Sequence, residues 1–327
     1  MNKRLRWGLL STANINKALM DPLRTSRRNS LLAVASREKS VADGYAQKNK
    51  IPRAYGSYED LMNDPDIDVI YNSLPNHLHA AWTVKAVEAG KHVLCEKPLA
   101  LSIEEVDSIS AAADKHNRVV AEALMYRSHA TSQKVREIIQ GGRLGEVRMV
   151  RGSFTYSGTK PDDFRLNPEM GGGALWDIGI YPLSYARFVL ASEPLEAFAW
   201  QTLGPTGVDE SFVAQLRFPK NIFFQMDCST ASPYHVFMEI VGTEAALVVP
   251  QPFNPTSKEN LYMTSKGKPE LIQVKGTGTY VGEVEAMADS ILDGAPPAVS
   301  LADSRATVSI IQRLFDSART GKPVPLI

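Results

Sequence analysis

Leu5-Arg-Trp-Gly8-Leu-Leu10-Ser11-Thr12-Ala13-Asn14-Ile15 is the stretch on which the fold turns. Residues 5–10 form a short β-rich run, and the small polar residues after it suit a tight turn into a helix. Dinucleotide-binding βα units carry G-x-G-x-x-G/A at this place, where small residues let the backbone approach a pyrophosphate at a helix N-terminus. Here Gly8 holds the first position, Leu10 the second and Ala13 the third. An ordinary βα connection has the same outline, so the neighbouring strands must decide.

Working outward, further β-rich runs at residues 31–36, 68–72, 92–95 and 119–123 alternate with helical patterns, which is how a parallel sheet with crossover helices reads. Ser57-Tyr-Glu-Asp60 and Ser102-Ile-Glu-Glu105 have the form of capping boxes, and each opens a helix. After about residue 130 the pattern changes to long alternating strands at 146–156, 212–218, 222–228 and 236–241, which predict an antiparallel sheet. A helix from Asp303 runs to Gly321, a glycine C-cap. The expected architecture is α/β: a doubly wound dinucleotide-binding domain over 1–124 and a substrate-binding, mostly antiparallel sheet domain over 125–327.

The 327 residues suit two domains. Lysine plus arginine and aspartate plus glutamate balance at 36 each, which argues against a dedicated nucleic-acid or anionic-membrane binder. Cys95 and Cys228 are too few for a disulfide framework and have no metal-ligand spacing. No segment approaches the roughly 20 apolar residues of a membrane span. The expectation is a cytoplasmic protein with a small-molecule partner and no metal.

The second strand ends in Ala35-Ser36-Arg37. NAD-binding folds usually place a carboxylate there for the ribose hydroxyls, whereas a 2′-phosphate calls for a cation. Arg37 can fork onto a phosphate and Ser36 can donate to it, so NADP is favoured over NAD; the alternative is that Arg37 only starts a solvated helix. Leu74-Pro75-Asn76-His77-Leu78-His79 follows the third of these strands, and Leu74, Pro75, Asn76 and His79 are taken as cofactor-lining. The fourth runs into Cys95-Glu96-Lys97-Pro98 at the carboxyl edge of the sheet. A lysine there can bind a substrate oxygen and ease movement of its proton, and a cis Lys-Pro bond would aim it inward.

A second constellation is Gly171-Gly-Gly-Ala-Leu-Trp176-Asp177-Ile-Gly-Ile-Tyr181-Pro182. Asp177 and Tyr181 are four apart and share a face on a helix, with Pro182 tolerable if the helix begins just before it. Tyr181 could give a proton to a carbonyl oxygen, and Asp177 could hold a sugar hydroxyl or orient the lysine. Trp176 is counted with the cofactor residues. Arg127, in Tyr126-Arg127-Ser128-His129, is a candidate wall of the substrate site. Tyr156-Ser-Gly-Thr-Lys160 matches the Tyr-x-x-x-Lys pattern of short-chain dehydrogenases, but it ends a sheet strand and not a helix, so it reads as coincidence.

On Gly8–Ile15, Pro75–His79, Ala89-Gly-Lys-His-Val-Leu-Cys-Glu-Lys-Pro98, Met125-Tyr-Arg127, Gly145-Glu-Val and Gly171–Pro182, the sequence resembles the glucose–fructose oxidoreductase, inositol dehydrogenase and rhizopine-catabolism (Gfo/Idh/MocA) family over nearly its whole length. The resemblance implies a Rossmann domain, then a sheet domain whose outer face makes homodimers or homotetramers. It implies the catalytic lysine at Lys97 and the substrate aspartate at Asp177. Tyr181 stands where many inositol dehydrogenase-like members carry histidine, and looks like the sugar-oxidoreductase and 3-ketoreductase branches in which tyrosine is the proposed proton donor.

The reading is therefore an NADP(H)-dependent oxidoreductase of sugars or sugar derivatives. Its cofactor residues are Gly8, Ser11, Thr12, Ala13, Asn14, Ile15, Ser36, Arg37, Leu74, Pro75, Asn76, His79, Glu96, Lys97 and Trp176. Lys97, Tyr181 and Asp177 carry the chemistry, and Arg127, Asp177 and Tyr181 hold the substrate. A trans-dihydrodiol or other polyol dehydrogenase is the alternative within enzymology. A non-catalytic NADP sensor is the alternative from another class, and the joint presence of Lys97, Asp177 and Tyr181 argues against it.

Overall fold

A computed structural model describes residues 4–326. The chain divides into two compact units, Met1–Leu124 with Tyr280–Arg305, and Met125–Thr279 with Ala306–Ile327. The first break falls between Leu124 and Met125. The return of Tyr280–Arg305 to the first unit departs from a continuous second domain.

The first unit runs β1 (Leu5–Leu9), α1 (Asn16–Thr25), β2 (Asn29–Ala35), α2 (Lys39–Asn49), β3 (Arg53–Tyr55), α3 (Tyr58–Asn63), β4 (Val69–Asn72), α4 (His79–Glu88), β5 (His92–Glu96), α5 (Ile103–His116) and β6 (Val120–Ala123). All the strand pairs are parallel, in the order β3-β2-β1-β4-β5-β6. This is the strand order of the Rossmann fold. Every residue of β4 and β6 is buried, as expected when helices cover both faces of a sheet. Gly8 lies inside β1, where a Cβ would stand 2.9 Å from the Leu61 side chain, so its smallness serves strand–helix packing. The two capping boxes form as read: the Ser57 and Ser102 hydroxyls accept the N–H groups of Asp60 at 3.0 Å and Glu105 at 3.2 Å.

The second unit holds α6 (Ala130–Gln140), β7 (Val147–Thr155), α7 (Ile180–Leu190), β8 (Glu196–Leu203), β9 (Asp209–Phe218), β10 (Ile222–Ser229), β11 (His235–Gly242), β12 (Ala245–Val249), β13 (Lys258–Ser265) and β14 (Lys268–Lys275). Two helices follow, α8 (Thr279–Leu292) and α9 (Leu301–Thr320), and a short β15 (Val324–Pro325). Val284, Met287 and Ala288 of α8 join the core of the first unit beside Leu5, Trp7 and Tyr71. The nine-stranded sheet has the order β14-β13-β12-β11-β7-β10-β9-β8-β15. Its pairs are antiparallel except β7 with β10, which run parallel. The sheet is thus mostly antiparallel, as expected; the one parallel pair was not marked, because alternation of side chains reports a half-buried strand and not its direction.

One face of this sheet is buried through Phe212, Ala214, Leu216, Phe224 and Met226. The register places Trp200 opposite Val213 and Tyr262 opposite Leu271 on the other face, where Phe223 also lies. All five are about half exposed.

Candidate active site

In the first unit the strand order reverses between β1 and β4, and open α/β sheets take ligands outside the carboxyl ends of such strands. The turn after β1 is fixed from within. The Ser11 hydroxyl accepts the Ala13 N–H at 3.1 Å and lies 2.8 Å from the Ser73 hydroxyl, which donates to Asn16 at 2.7 Å. Asn16 in turn donates to the Ser11 carbonyl at 2.6 Å. This leaves Thr12 and Ala13 half-buried, Asn14 exposed, and Ile15 as the N-cap of α1. The helix has neither a side-chain cap nor an acidic residue in its first turn, so its electropositive end suits an anion. Ser36 is half-buried at the end of β2, and Arg37 is exposed beyond it.

Farther along the same carboxyl edge, the Tyr71 hydroxyl donates to the Glu96 carboxylate, which also accepts the main-chain N–H of Lys97 at 3.3 Å. The Lys97–Pro98 peptide is cis. Asn76 is buried at the start of a short 3₁₀ turn capped by Pro75. His79 opens α4. It is 1% exposed, and its ring nitrogens lie 2.6 Å from the carbonyl of Leu74 and 2.6 Å from that of Pro98. The imidazole thus ties the loop after β4 to the turn that carries Lys97, and both nitrogens are engaged within the protein. Burial pushes its pKa down to about 4, with the Lys97 charge acting the same way and the two carbonyls opposing. Both contacts are hydrogen bonds only for an imidazolium, which the two carbonyls favour; burial opposes that charge, and a neutral ring donates to one of the two alone.

In the second unit, residues 175–179 form a π turn that runs into α7. The Ile180 N–H reaches back to the Leu175 carbonyl, an i to i+5 bond. The helix therefore does not begin just before Pro182. The extra residue is taken up immediately ahead of the proline, which has no N–H to continue the ladder. Asp177 and Tyr181 stand on this continuous run, each 7% exposed.

The glycines before it allow the chain to fold back on itself. A Cβ at Gly172 would overlap the carbonyls of Arg165 and Asn167, and at Gly173, with φ +110°, it would overlap the Asp209 carboxylate. Asp209 is 3% exposed and accepts the Leu175 N–H at 2.7 Å, so a carboxylate from β9 caps the helix that carries Asp177. Burial pushes this carboxyl up to about 7, against the main-chain N–H groups that favour its charge.

Tyr181 packs in an aromatic wall, its ring centre 5.5 Å from Phe154, 5.7 Å from Phe253 and 6.0 Å from Tyr126. Arg127 is buried, donates to the Ser184 hydroxyl at 3.1 Å and lies over the Phe188 ring at 4.4 Å. The Trp176 ring is 6.1 Å from Phe315 of α9. Two residues that the sequence reading did not assign to the site meet Asp177. The Tyr156 hydroxyl donates to Asp177 Oδ2 at 2.7 Å, and Arg165 Nε lies 3.0 Å from the same oxygen. Tyr156 does end a strand, as its pattern implied. What the pattern could not show is that the strand points it at Asp177. Arg165 sits in a single 3₁₀ turn, Phe164–Leu166, too short for any periodicity to mark it.

Among the described residues, no cluster of three or more metal-ligating side chains occurs, and no helix is long and apolar enough to cross a membrane.

Residues 5–124 match the model of the oxidoreductase family with an NAD-binding Rossmann fold, and residues 132–248 match the GFO/IDH/MocA C-terminal domain. An uncharacterised oxidoreductase of Rhizobium meliloti is 35% identical, covering 97% of this chain and 98% of its own. D-xylose 1-dehydrogenase (NADP(+)) 2 of Haloferax volcanii is 32% identical over 98% of this chain and its whole length. Among solved structures, aldose-aldose oxidoreductase from Caulobacter crescentus, complexed with glycerol, superposes with a TM-score of 0.92 at 25% identity, covering 99% of this chain and 100% of that one. With a parallel sheet of Rossmann order, a second unit built on a nine-stranded mixed sheet, and relatives matched from end to end, this chain belongs to the Gfo/Idh/MocA family of oxidoreductases.

Proposed function

We propose that the protein transfers a hydride between NADP(H) and a carbon of a sugar or sugar derivative. The observation that carries this reading is the pairing, on one helical run, of a buried carboxylate and a phenol, Asp177 and Tyr181, in a chain whose parallel sheet ends at Lys97. The first unit fits the nucleotide: an uncapped helix N-terminus after β1 for the pyrophosphate, and an exposed arginine after β2 for a 2′-phosphate. Gly8, Ser11, Thr12, Ala13, Asn14, Ile15, Ser36, Arg37, Leu74, Pro75, Asn76, Glu96 and Lys97 are read as forming or backing this surface, and Trp176 is counted with the cofactor residues. His79 supports it from behind.

The nicotinamide, when bound, supplies or accepts the hydride. Tyr181 exchanges the proton of the reacting oxygen, and the Lys97 ammonium stabilises the charge that develops there. Asp177 and Arg127 orient the substrate, with Asp177 accepting from a hydroxyl. The aromatic wall of Phe154, Phe253 and Tyr126 around Tyr181 favours a second reading, a dihydrodiol or other polyol dehydrogenase, since such a substrate presents an apolar ring. The relative named as an NADP(+)-dependent xylose dehydrogenase supports the first.

Lys97→Met, assayed with NADP+ across aldoses, inositols, anhydrosugars and a dihydrodiol, should lower turnover about 100-fold or more on the wild type's best substrate, with NADPH binding retained. Undiminished turnover would remove Lys97 from the chemistry. Tight NADPH binding with no wild-type turnover on any of them would favour a sensor.

The half-exposed Trp200, Val213, Phe223, Tyr262 and Leu271 on one sheet face support pairing with a second copy, as a homodimer or homotetramer. Sedimentation of a Trp200→Asp, Phe223→Asp variant should show a smaller species than the wild type; a monomeric wild type would end the idea.

A further inference from the structure

Two donors converge on one oxygen of Asp177. Tyr156 follows β7, its N–H held by the Ser229 carbonyl at 2.8 Å, and its hydroxyl donates to Asp177 Oδ2 at 2.7 Å. Arg165 presents Nε to the same oxygen at 3.0 Å. The arginine is itself anchored at several points. Its main-chain N–H donates to Asp163 at 3.0 Å, one guanidinium nitrogen bonds both Asp163 oxygens at 3.1 and 3.2 Å, and its carbonyl accepts the Gly173 N–H at 2.9 Å. The guanidinium also lies 4.8 Å from the Phe164 ring. Gly173 is the residue whose own approach to Asp209 sets the start of the helix, so the loop and the helix that meet at Asp177 are stitched at both ends.

The charges bear on what this arrangement does. The Asp163 and Asp177 carboxylates flank the single Arg165 guanidinium, so its charge is matched inside the protein. The Tyr156 phenol is raised above its ordinary value by burial first and by the Asp177 charge second, so it stays a donor throughout the working range. Hydrogen bonds to a charged partner are the stronger kind. Two of them on one oxygen fix the carboxylate's rotamer and favour its ionised form.

We propose that Tyr156 and Arg165 are positioning residues for substrate recognition, acting through Asp177: they hold its carboxylate ionised and in one orientation, so that it accepts from a substrate hydroxyl. This rests on the reading of Asp177 as a substrate-orienting group. The effect is expected on substrate binding, because the group that Tyr156 and Arg165 hold is Asp177, read as accepting from a substrate hydroxyl.

The test is a double-mutant cycle on the NADP-loaded protein, using whichever of D-xylose, D-glucose and myo-inositol the wild type turns over fastest. Tyr156→Phe and Arg165→Met should each raise KM for that sugar about tenfold, with kcat changed less than about threefold and the NADPH Kd unchanged. Arg165→Lys should recover part of the loss, which a merely structural role would not require. In an Asp177→Asn background, Tyr156→Phe and Arg165→Met should have little further effect, since the group they position is already altered. Full additivity in that background would overturn the proposal, as would an unchanged KM in both single variants while Asp177→Asn is impaired. Tyr156→Phe removes one oxygen only, so it remains decisive if Arg165→Met folds poorly. An Asp177→Asn variant with wild-type KM, or a wild type that turns over none of the three sugars, would instead overturn the underlying reading of Asp177 and this inference with it.

Discussion

Each unit holds its chemical segment with one buried ionisable side chain, and the two solve the problem with opposite chemistry. In the first, His79 lies between the carbonyls of Leu74 and Pro98, donating to one of them when neutral and to both only when protonated, and so packs the loop after β4 against the Lys97 turn. In the second, Asp209 accepts main-chain N–H groups at the start of the helix that bears Asp177 and Tyr181. The parallel sheet leaves carbonyls to be tied, and the helix start leaves amides. A ring that can donate serves the former, and a carboxylate the latter. Burial then drives both toward the neutral form, one pKa down to about 4 and the other up to about 7. Their contributions to stability therefore run in opposite directions with pH.

The larger effect belongs to Asp209. Its folded-state pKa lies above the unfolded value, so the folded protein binds the extra proton between about 3.8 and 7. Stability from this group is full below the lower value and is lost as pH rises through the upper one. The interval corresponds to about 4 kcal/mol. Chemical denaturation of wild type and Asp209→Asn from about pH 4 to about pH 8 should show the wild type losing roughly that much relative to the variant. A constant difference across the range would mean that Asp209 is already ionised and works as an ordinary helix cap.

His79 should show the reverse slope. Its folded-state pKa lies below the unfolded 6.5, so its contribution is intact above 6.5 and is lost as pH falls through about 4. The interval is worth about 3 kcal/mol. Measured against His79→Gln, the wild type should lose that stability on acidification. No loss would show that the two carbonyls hold an imidazolium at neutral pH, and the symmetry between the units would then be false.

The units also differ in how much of them could be read from sequence. In the first, burial on both faces produces apolar runs with capping boxes between them, and β1, β2, β4, β5 and β6 appear within a residue or two of their expected places. The exception is β3, whose three half-buried residues Arg53-Ala-Tyr55 carry no run. In the second, alternation marks β7, β9, β10 and β11 but is silent on direction, so the parallel β7–β10 pair was out of reach. The triple glycine was visible in the sequence. What approaches it was not, because Arg165, Asn167 and Asp209 come from a segment of single 3₁₀ turns and a distant strand. Tyr156 was visible and set aside, since it was weighed against a helical template and not against a strand end facing Asp177. Motifs carried by one local segment survive in sequence, and contacts assembled from several do not.

The smallest predicted effect sharpens the same contrast through a pair of arginines. Arg165 is held between two carboxylates, so its charge serves the protein's own architecture. Arg37 is exposed beyond β2, where a nucleotide's 2′-phosphate would lie in a fold of this strand order. An exposed guanidinium meeting a phosphate contributes modestly, and salt screens it. Arg37→Ala should weaken NADPH binding by about tenfold, or roughly 1.4 kcal/mol, and leave NADH binding within about twofold. The NADPH deficit should shrink as ionic strength rises, because the lost term is electrostatic. If both nucleotides weaken alike, Arg37 supports the turn and not the phosphate, and the preference for NADP must then come from other groups at the end of β2, Ser36 first among them.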